Sequence, residues 1–142
     1  MTQSIPLPEF DGGCLCGAVR WHAKGQPRQI NFCHCSMCLK STGAPVSAWA
    51  LFKSENVTFT QGAPTYYKSS AHGERGFCAA CGSTLTWRSP DTPYLLDLAV
   101  GTFDTPNDLG NLRDHIYTEN AIAWFHVADD LPRFARHRPK PG

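Results

Sequence analysis

A chain of 142 residues has the length of about one domain, enough to bury roughly two thirds of its unfolded surface in a single core. Thirteen Lys and Arg against twelve Asp and Glu leave it near neutral, which excludes the long-range field of a dedicated nucleic-acid binder. Its most hydrophobic windows, Tyr94 to Val100 and Ala121 to Ala128, fall short of the ~20 apolar residues of a membrane-spanning helix, so the chain reads as soluble.

In chain order, Met1 to Phe10 carries neither the basic nor the apolar stretch of an export signal and reads as a flexible end of a cytoplasmic protein. Gly12-Gly13-Cys14-Leu15-Cys16-Gly17 is a tight turn holding two thiols, and Ala18 to His22 alternates as a strand, with Val19 and Trp21 on one face. Phe32-Cys33-His34-Cys35-Ser36-Met37-Cys38 packs three thiols into one loop, with a short helical piece over Cys35 to Thr42. Strand signals return at Val46 to Phe52, Val57 to Thr60 and Thr65 to Lys68, and Ser69, Ser70 and Gly73 shape a turn. Cys78-Ala79-Ala80-Cys81-Gly82 is a third knot, followed by strands at Thr84 to Arg88, Tyr94 to Val100 and His115 to Tyr117. Asp129-Asp130 resembles a helix start over Ala128 to Leu131, ended by Pro132. The basic tail from Arg133 to Gly142 reads as a solvated, frayed terminus, with 135–142 flexible. The pattern is all-β with small irregular connections, a single domain over 1–142 without a linker.

Seven cysteines in three knots admit two explanations. Cysteines one residue apart cannot readily bridge each other, and an odd total leaves one thiol over, which argues against a disulfide framework. In a reducing cytosol such clusters bind metal. The outer knots together offer Cys14, Cys16, Cys78 and Cys81, enough to enclose one tetrahedral Zn²⁺. Glycines beside these ligands let the backbone turn sharply. An ion shared by knots so distant in sequence would clasp two hairpins and supply on the order of 10 kcal/mol or more to folding.

The middle knot offers only Cys33, Cys35 and Cys38, which can hold an ion from one side and leave a position for an incoming thiol or oxygen. Two alternatives stand beside this: a closed site completed by His34, His72 or His115, and a redox dithiol at Cys35 and Cys38. Around the knot, His34 is either a proton shuttle or directed at solvent, and Trp49 and Phe52 are either pocket walls or core. Arg75, Lys40 and Arg20 could meet a ligand carboxylate, with a loop anchor or plain exposure as the default.

Gly13-Cys14-Leu15-Cys16-Gly17-Ala18-Val19-Arg20, Cys33 to Cys38 and Arg75 to Ser83 resemble the glutathione-dependent formaldehyde-activating enzyme family, related to centromere protein V. His115-Ile116-Tyr117 and Leu131 to Phe134 are similar to that family's C-terminal part, so the likeness spans nearly the whole chain. The resemblance implies several small coiled antiparallel sheets built around zinc knuckles, with a closed zinc at Cys14, Cys16, Cys78 and Cys81. It also implies a second, labile zinc at Cys33, Cys35 and Cys38. The implied activity is the carbon–sulfur condensation of formaldehyde with glutathione. Thiols add to formaldehyde readily unaided, so a zinc-stabilised module that binds a thiol adduct or a protein partner is the alternative. A nucleic-acid role like that of the centromere branch lacks the long basic extension it needs.

Overall fold

The computed structural model describes residues 6–139 of the protein. Strands β1 (Glu9–Gly13), β2 (Arg20–Lys24) and β5 (Val57–Gln61) form a three-stranded sheet in the order β1-β2-β5. The remaining strands are β3 (Gln29–Cys33), β4 (Ser47–Lys53), β6 (Thr65–Ser70), β7 (Gly73–Phe77), β8 (Thr84–Arg88), β9 (Leu95–Ala99) and β10 (Asp114–Ile116). They make a seven-stranded sheet in the order β10-β3-β4-β9-β8-β7-β6. All pairings are antiparallel except β10 on β3, which is parallel. Helix α1 (Ser36–Thr42) lies between β3 and β4.

Strand alternation divides the large sheet into a core face and a site face. Ala50 and Phe52 of β4 and Leu96 and Leu98 of β9 turn toward the small sheet, where they pack with Phe10, Trp21, Ala23 and Phe103. Phe103 meets Trp21 edge-on at 4.6 Å between ring centroids and Phe10 at 5.8 Å. Each such side chain stabilises the fold by roughly 1.5–3 kcal/mol through burial. Trp49 points the other way and joins Cys33, Cys38 and Ile116. Of the two aromatics weighed as pocket or core, Phe52 is core and Trp49 faces the site, because three residues along a strand reverse the face.

Both chain ends hold more structure than composition implied. Phe10, expected in a flexible end, is 3% exposed in β1. The C-terminal segment runs beside β10 and covers its edge: His115 N donates to Pro132 O at 2.9 Å, Phe134 N to His115 O at 2.9 Å, and Tyr117 N to Arg136 O at 3.1 Å. Arg138 closes the segment with two 2.8 Å hydrogen bonds to the buried Asp114 carboxylate. The part of the tail beyond 139, including Lys140, lies outside the described residues. Ala128 to Leu131 is not helical, since the Asp129 carboxylate accepts from Leu131 N at 3.0 Å and so offers the backbone an alternative to a helical turn.

On the small sheet His22 sits between Asp11 at 2.8 Å and Glu9 at 3.2 Å, and these carboxylates, Asp11 foremost, raise its pKa. A raised folded-state pKa stabilises below the ordinary histidine value near 6.5, and the benefit disappears as pH climbs through the elevated value. Urea unfolding of His22→Gln is expected to show a loss of about 0.5 kcal/mol at pH 5.5 and none at pH 8.5. Equal losses at both pH values would show that charge plays no part.

Candidate metal centres

The loop between β1 and β2 and the loop between β7 and β8 are built alike, the second with one more residue between its cysteines. In the first, Cys14 N donates to Val19 O at 3.0 Å and Gly17 N to Cys14 O at 3.2 Å. In the second, Cys78 N donates to Ser83 O at 3.0 Å and Gly82 N to Cys78 O at 2.7 Å. Gly17 and Gly82, each directly after a cysteine, have φ of 81° and 80°, a left-handed conformation that a side chain resists. The turns bring the sulfurs of Cys14, Cys16, Cys78 and Cys81 within 4.8 Å of one another. Ser83 links the two loops: its hydroxyl accepts from Leu15 N at 3.0 Å and lies 3.2 Å from Cys81 Sγ. That hydroxyl and the neighbouring backbone N–H groups pull the Cys81 thiol down to about 5. Val19 N donates to Cys14 Sγ at 3.2 Å. A four-sulfur donor set prepared for negative charge fits a tetrahedral Zn²⁺.

Cys33 ends β3, Cys35 caps α1 by accepting from Cys38 N at 3.3 Å, and Cys38 lies in the first turn of the helix. Their sulfurs also lie within 4.8 Å of one another. Arg75 of β7, 7% exposed, places both terminal nitrogens 3.6 Å from Cys38 Sγ, with Nη1 also donating to Ser41 Oγ at 3.2 Å. Hydrogen bonds from the Cys33 and Cys35 thiols hold Cys38 down to about 2, with the Arg75 charge assisting, while the same sharing pushes Cys33 upward. Three thiolates around a divalent ion leave one net negative charge, and a guanidinium on the sulfur is the counter-charge that set requires. The donor set fits Zn²⁺ held from one side. Arg75 thus sits on the cluster and the helix, and Lys40 is exposed. Arg20 pairs with Asp104.

None of the histidines considered as a fourth ligand joins these sulfurs among the described residues. His72 is exposed and paired with Asp91 at 2.6 Å. His34, expected to face solvent or shuttle protons, is 5% exposed and lies against His115, with Nε2 2.9 Å from His115 Nδ1. His115 Nε2 is 2.9 Å from Asp129, which also receives Arg133 at 2.9 Å. Burial lowers the His34 pKa, with a smaller contribution from the neighbouring His115. The Asp129 carboxylate orients the His115 ring, which in turn orients His34, the residue between Cys33 and Cys35.

The sulfurs of the middle knot open onto a cavity of about 220 Å³ lined by Trp49, Trp87, Met37, Ile116 and Tyr117 among apolar groups, with Asn31 and Asp97 among the polar ones. Burial pushes the Asp97 carboxyl up to about 7, with the Cys38 charge adding and Arg138 opposing. Asn31, Trp87 and Asp97 are site residues that sequence reading missed. Only the alternation of Leu95-Leu96-Asp97-Leu98 could have marked Asp97 as facing away from the core.

The model of the family described as glutathione-dependent formaldehyde-activating enzyme matches residues 9–120, which contain all seven cysteines, Arg75 and Asp97. The chain belongs to this family. A protein of Halomonas elongata named for the same family activity is 30% identical over 126 residues, covering 83% of this chain and 80% of that protein. An uncharacterized lyase of Schizosaccharomyces pombe is 30% identical over 93 residues, covering 64% and 67% respectively. A crystal structure of a Rhodobacter sphaeroides protein superposes with a TM-score of 0.55 at 24% identity, covering 72% of this chain and 96% of that one, and shares the fold. The segment carrying Asp129, Arg133 and Arg138 lies beyond the stretch matched by the family model.

Removing the guanidinium while keeping the bulk, as in Arg75→Met, is expected to lower zinc affinity at Cys33, Cys35 and Cys38 by about 10–100-fold and leave the four-sulfur cluster unchanged. Arg75→Lys should recover part of the loss. Chelator competition resolves the two sites, and an unchanged weaker site would refute the counter-charge role.

Proposed function

We propose that the protein is a zinc-dependent enzyme of carbon–sulfur lyase type that joins an aldehyde, formaldehyde, to a thiol, glutathione, giving an S-hydroxymethyl adduct. Cys33, Cys35 and Cys38 hold the reactive zinc, and Cys14, Cys16, Cys78 and Cys81 hold a structural one, two per chain. The observation that carries this reading is the contrast between four sulfurs closed on one another and three sulfurs that open onto a cavity. Family membership and the printed names of relatives support the same chemistry. Zinc bound at the three cysteines supplies Lewis acidity that keeps an incoming thiol deprotonated near pH 7.

The residues of the chain do the rest. The thiol sulfur forms a bond to the carbonyl carbon, the C=O π pair moves to oxygen, and the proton lost by the thiol ends there; the reverse reaction breaks the same bond. No electrons change hands, so no redox partner is needed. Arg75 helps the Cys33 and Cys35 thiols hold Cys38 as thiolate, and the indoles of Trp49 and Trp87 exclude water beside the sulfurs. Holding thiol and aldehyde together supplies most of the acceleration, since the uncatalysed addition is already easy. Free thiols of this kind suit a reducing compartment such as the cytoplasm.

Gently purified protein is expected to carry two zinc per chain, one of which leaves to a mild chelator while the fold persists. Cys78→Ser should lose the retained ion and unfold the domain or loosen it severely, as seen by circular dichroism. Exchange NMR on formaldehyde and glutathione is expected to show faster adduct formation with protein than without, and slower exchange after Cys35→Ser. Identical rates in all three samples would end the catalytic reading and favour a carrier of the adduct.

A further inference from the structure

The cavity beside Cys33, Cys35 and Cys38 is too large for a one-carbon aldehyde. Its volume of about 220 Å³ is several times the ~30 Å³ share of one water. It is also below the roughly 300 Å³ at which pockets for drug-sized ligands begin, which suits one ring with short substituents. Two indoles line it, and Trp49 is fixed by an Nε1 hydrogen bond to Ser47 Oγ at 2.8 Å. Flat apolar walls of this kind favour a flat apolar guest.

Polar groups in the cavity identify the guest further. Asn31 is 4% exposed, and neither its amide nor the Asp97 carboxyl has a side-chain hydrogen bond among the described residues. Both line the cavity, where the hydrogen-bonding groups of a guest can reach them. The terminal nitrogens of Arg75 are taken by Cys38 and Ser41 while its buried Nε has no partner among the described residues, and Arg138 is taken by Asp114. Exposed His137 is the other basic group lining the cavity. A single free Nε–H cannot offset the two carboxylates of glutathione, so its charged ends stay outside and its thiol alone enters.

We propose that the carbonyl partner of this site is an aldehyde on a flat aromatic ring with a neutral hydrogen-bond donor, its ring against Trp49 and Trp87 and its donor directed to Asp97. This rests on the carbon–sulfur reading of the same site and deepens it. The bond-forming step is unchanged: sulfur adds to the carbonyl carbon and the thiol proton ends on the carbonyl oxygen, with para-hydroxybenzaldehyde as the simplest probe.

Calorimetry and saturation-transfer NMR on the zinc-loaded protein, without thiol, should show saturable binding of para-hydroxybenzaldehyde about tenfold tighter than benzaldehyde, from a hydrogen bond to a carboxyl group. Asp97→Ala is expected to erase that advantage with zinc content and circular dichroism unchanged. Trp49→Ala should weaken both aromatic aldehydes up to about tenfold, and Trp49→Phe should restore them if the smaller variant folds poorly. With glutathione added, hemithioacetal formation should outpace the protein-free mixture. If neither aromatic aldehyde binds while formaldehyde–glutathione exchange is still accelerated, this proposal is overturned and the lyase reading stands. If the aromatic aldehydes bind as described but no adduct forms faster with any aldehyde, the ring site is supported and the lyase reading fails.

Discussion

Four thiols from two turns far apart in sequence lie within van der Waals reach of one another, and charge decides whether they can remain there. As four bare thiolates they would repel; a divalent ion bound there would turn that repulsion into a joint between the two sheets. The turns themselves need no ion, since their hydrogen bonds and left-handed glycines are local. Holding one turn against the other is what a bound ion would add. The large core supplies the remaining cohesion, and it lies on the face of the seven-stranded sheet opposite the three-sulfur cluster.

That division of labour frees the second cluster to be incomplete. Its sulfurs stand at the end of a strand and the start of a helix, elements already held by β-pairing to Trp49 and Ser47 and by the cap at Cys35. Positive charge reaches it from one side through Arg75, and a fixed histidine chain braces it from another. The cavity occupies the side left over. A metal held by these three sulfurs would therefore face the cavity without strain in the protein, because its remaining side is bordered by indoles rather than by a fourth sulfur.

Much of this was legible in the residues. Cysteine spacing alone grouped the seven thiols into the two sets that the fold brings together, and the strand at Thr84 to Arg88 matches β8 at both ends. The strands β1, β3 and β7 escaped notice because Glu-Phe-Asp-Gly-Gly, Gln-Ile-Asn-Phe-Cys and Gly-Glu-Arg-Gly-Phe mix glycine, amides and charges, which depresses the alternation signal. Long-range partners were invisible for a different reason: Asp129 reads as a helix cap locally, and only the parallel approach of β10 to β3 puts His115 between it and His34. The tail misled through composition, since its arginines looked solvated until Asp114, Asp129 and Glu119 were found facing them.

The strap formed by residues 133–138 borders the cavity with His137 and Arg138 yet donates nothing to either sulfur set. Substitution, shortening or extension there can reshape the mouth through which a guest arrives while the metal-holding loops keep their geometry. The border of the cavity and the sulfur clusters are therefore separable in this architecture, and the cavity can be reshaped by editing residues 133–138.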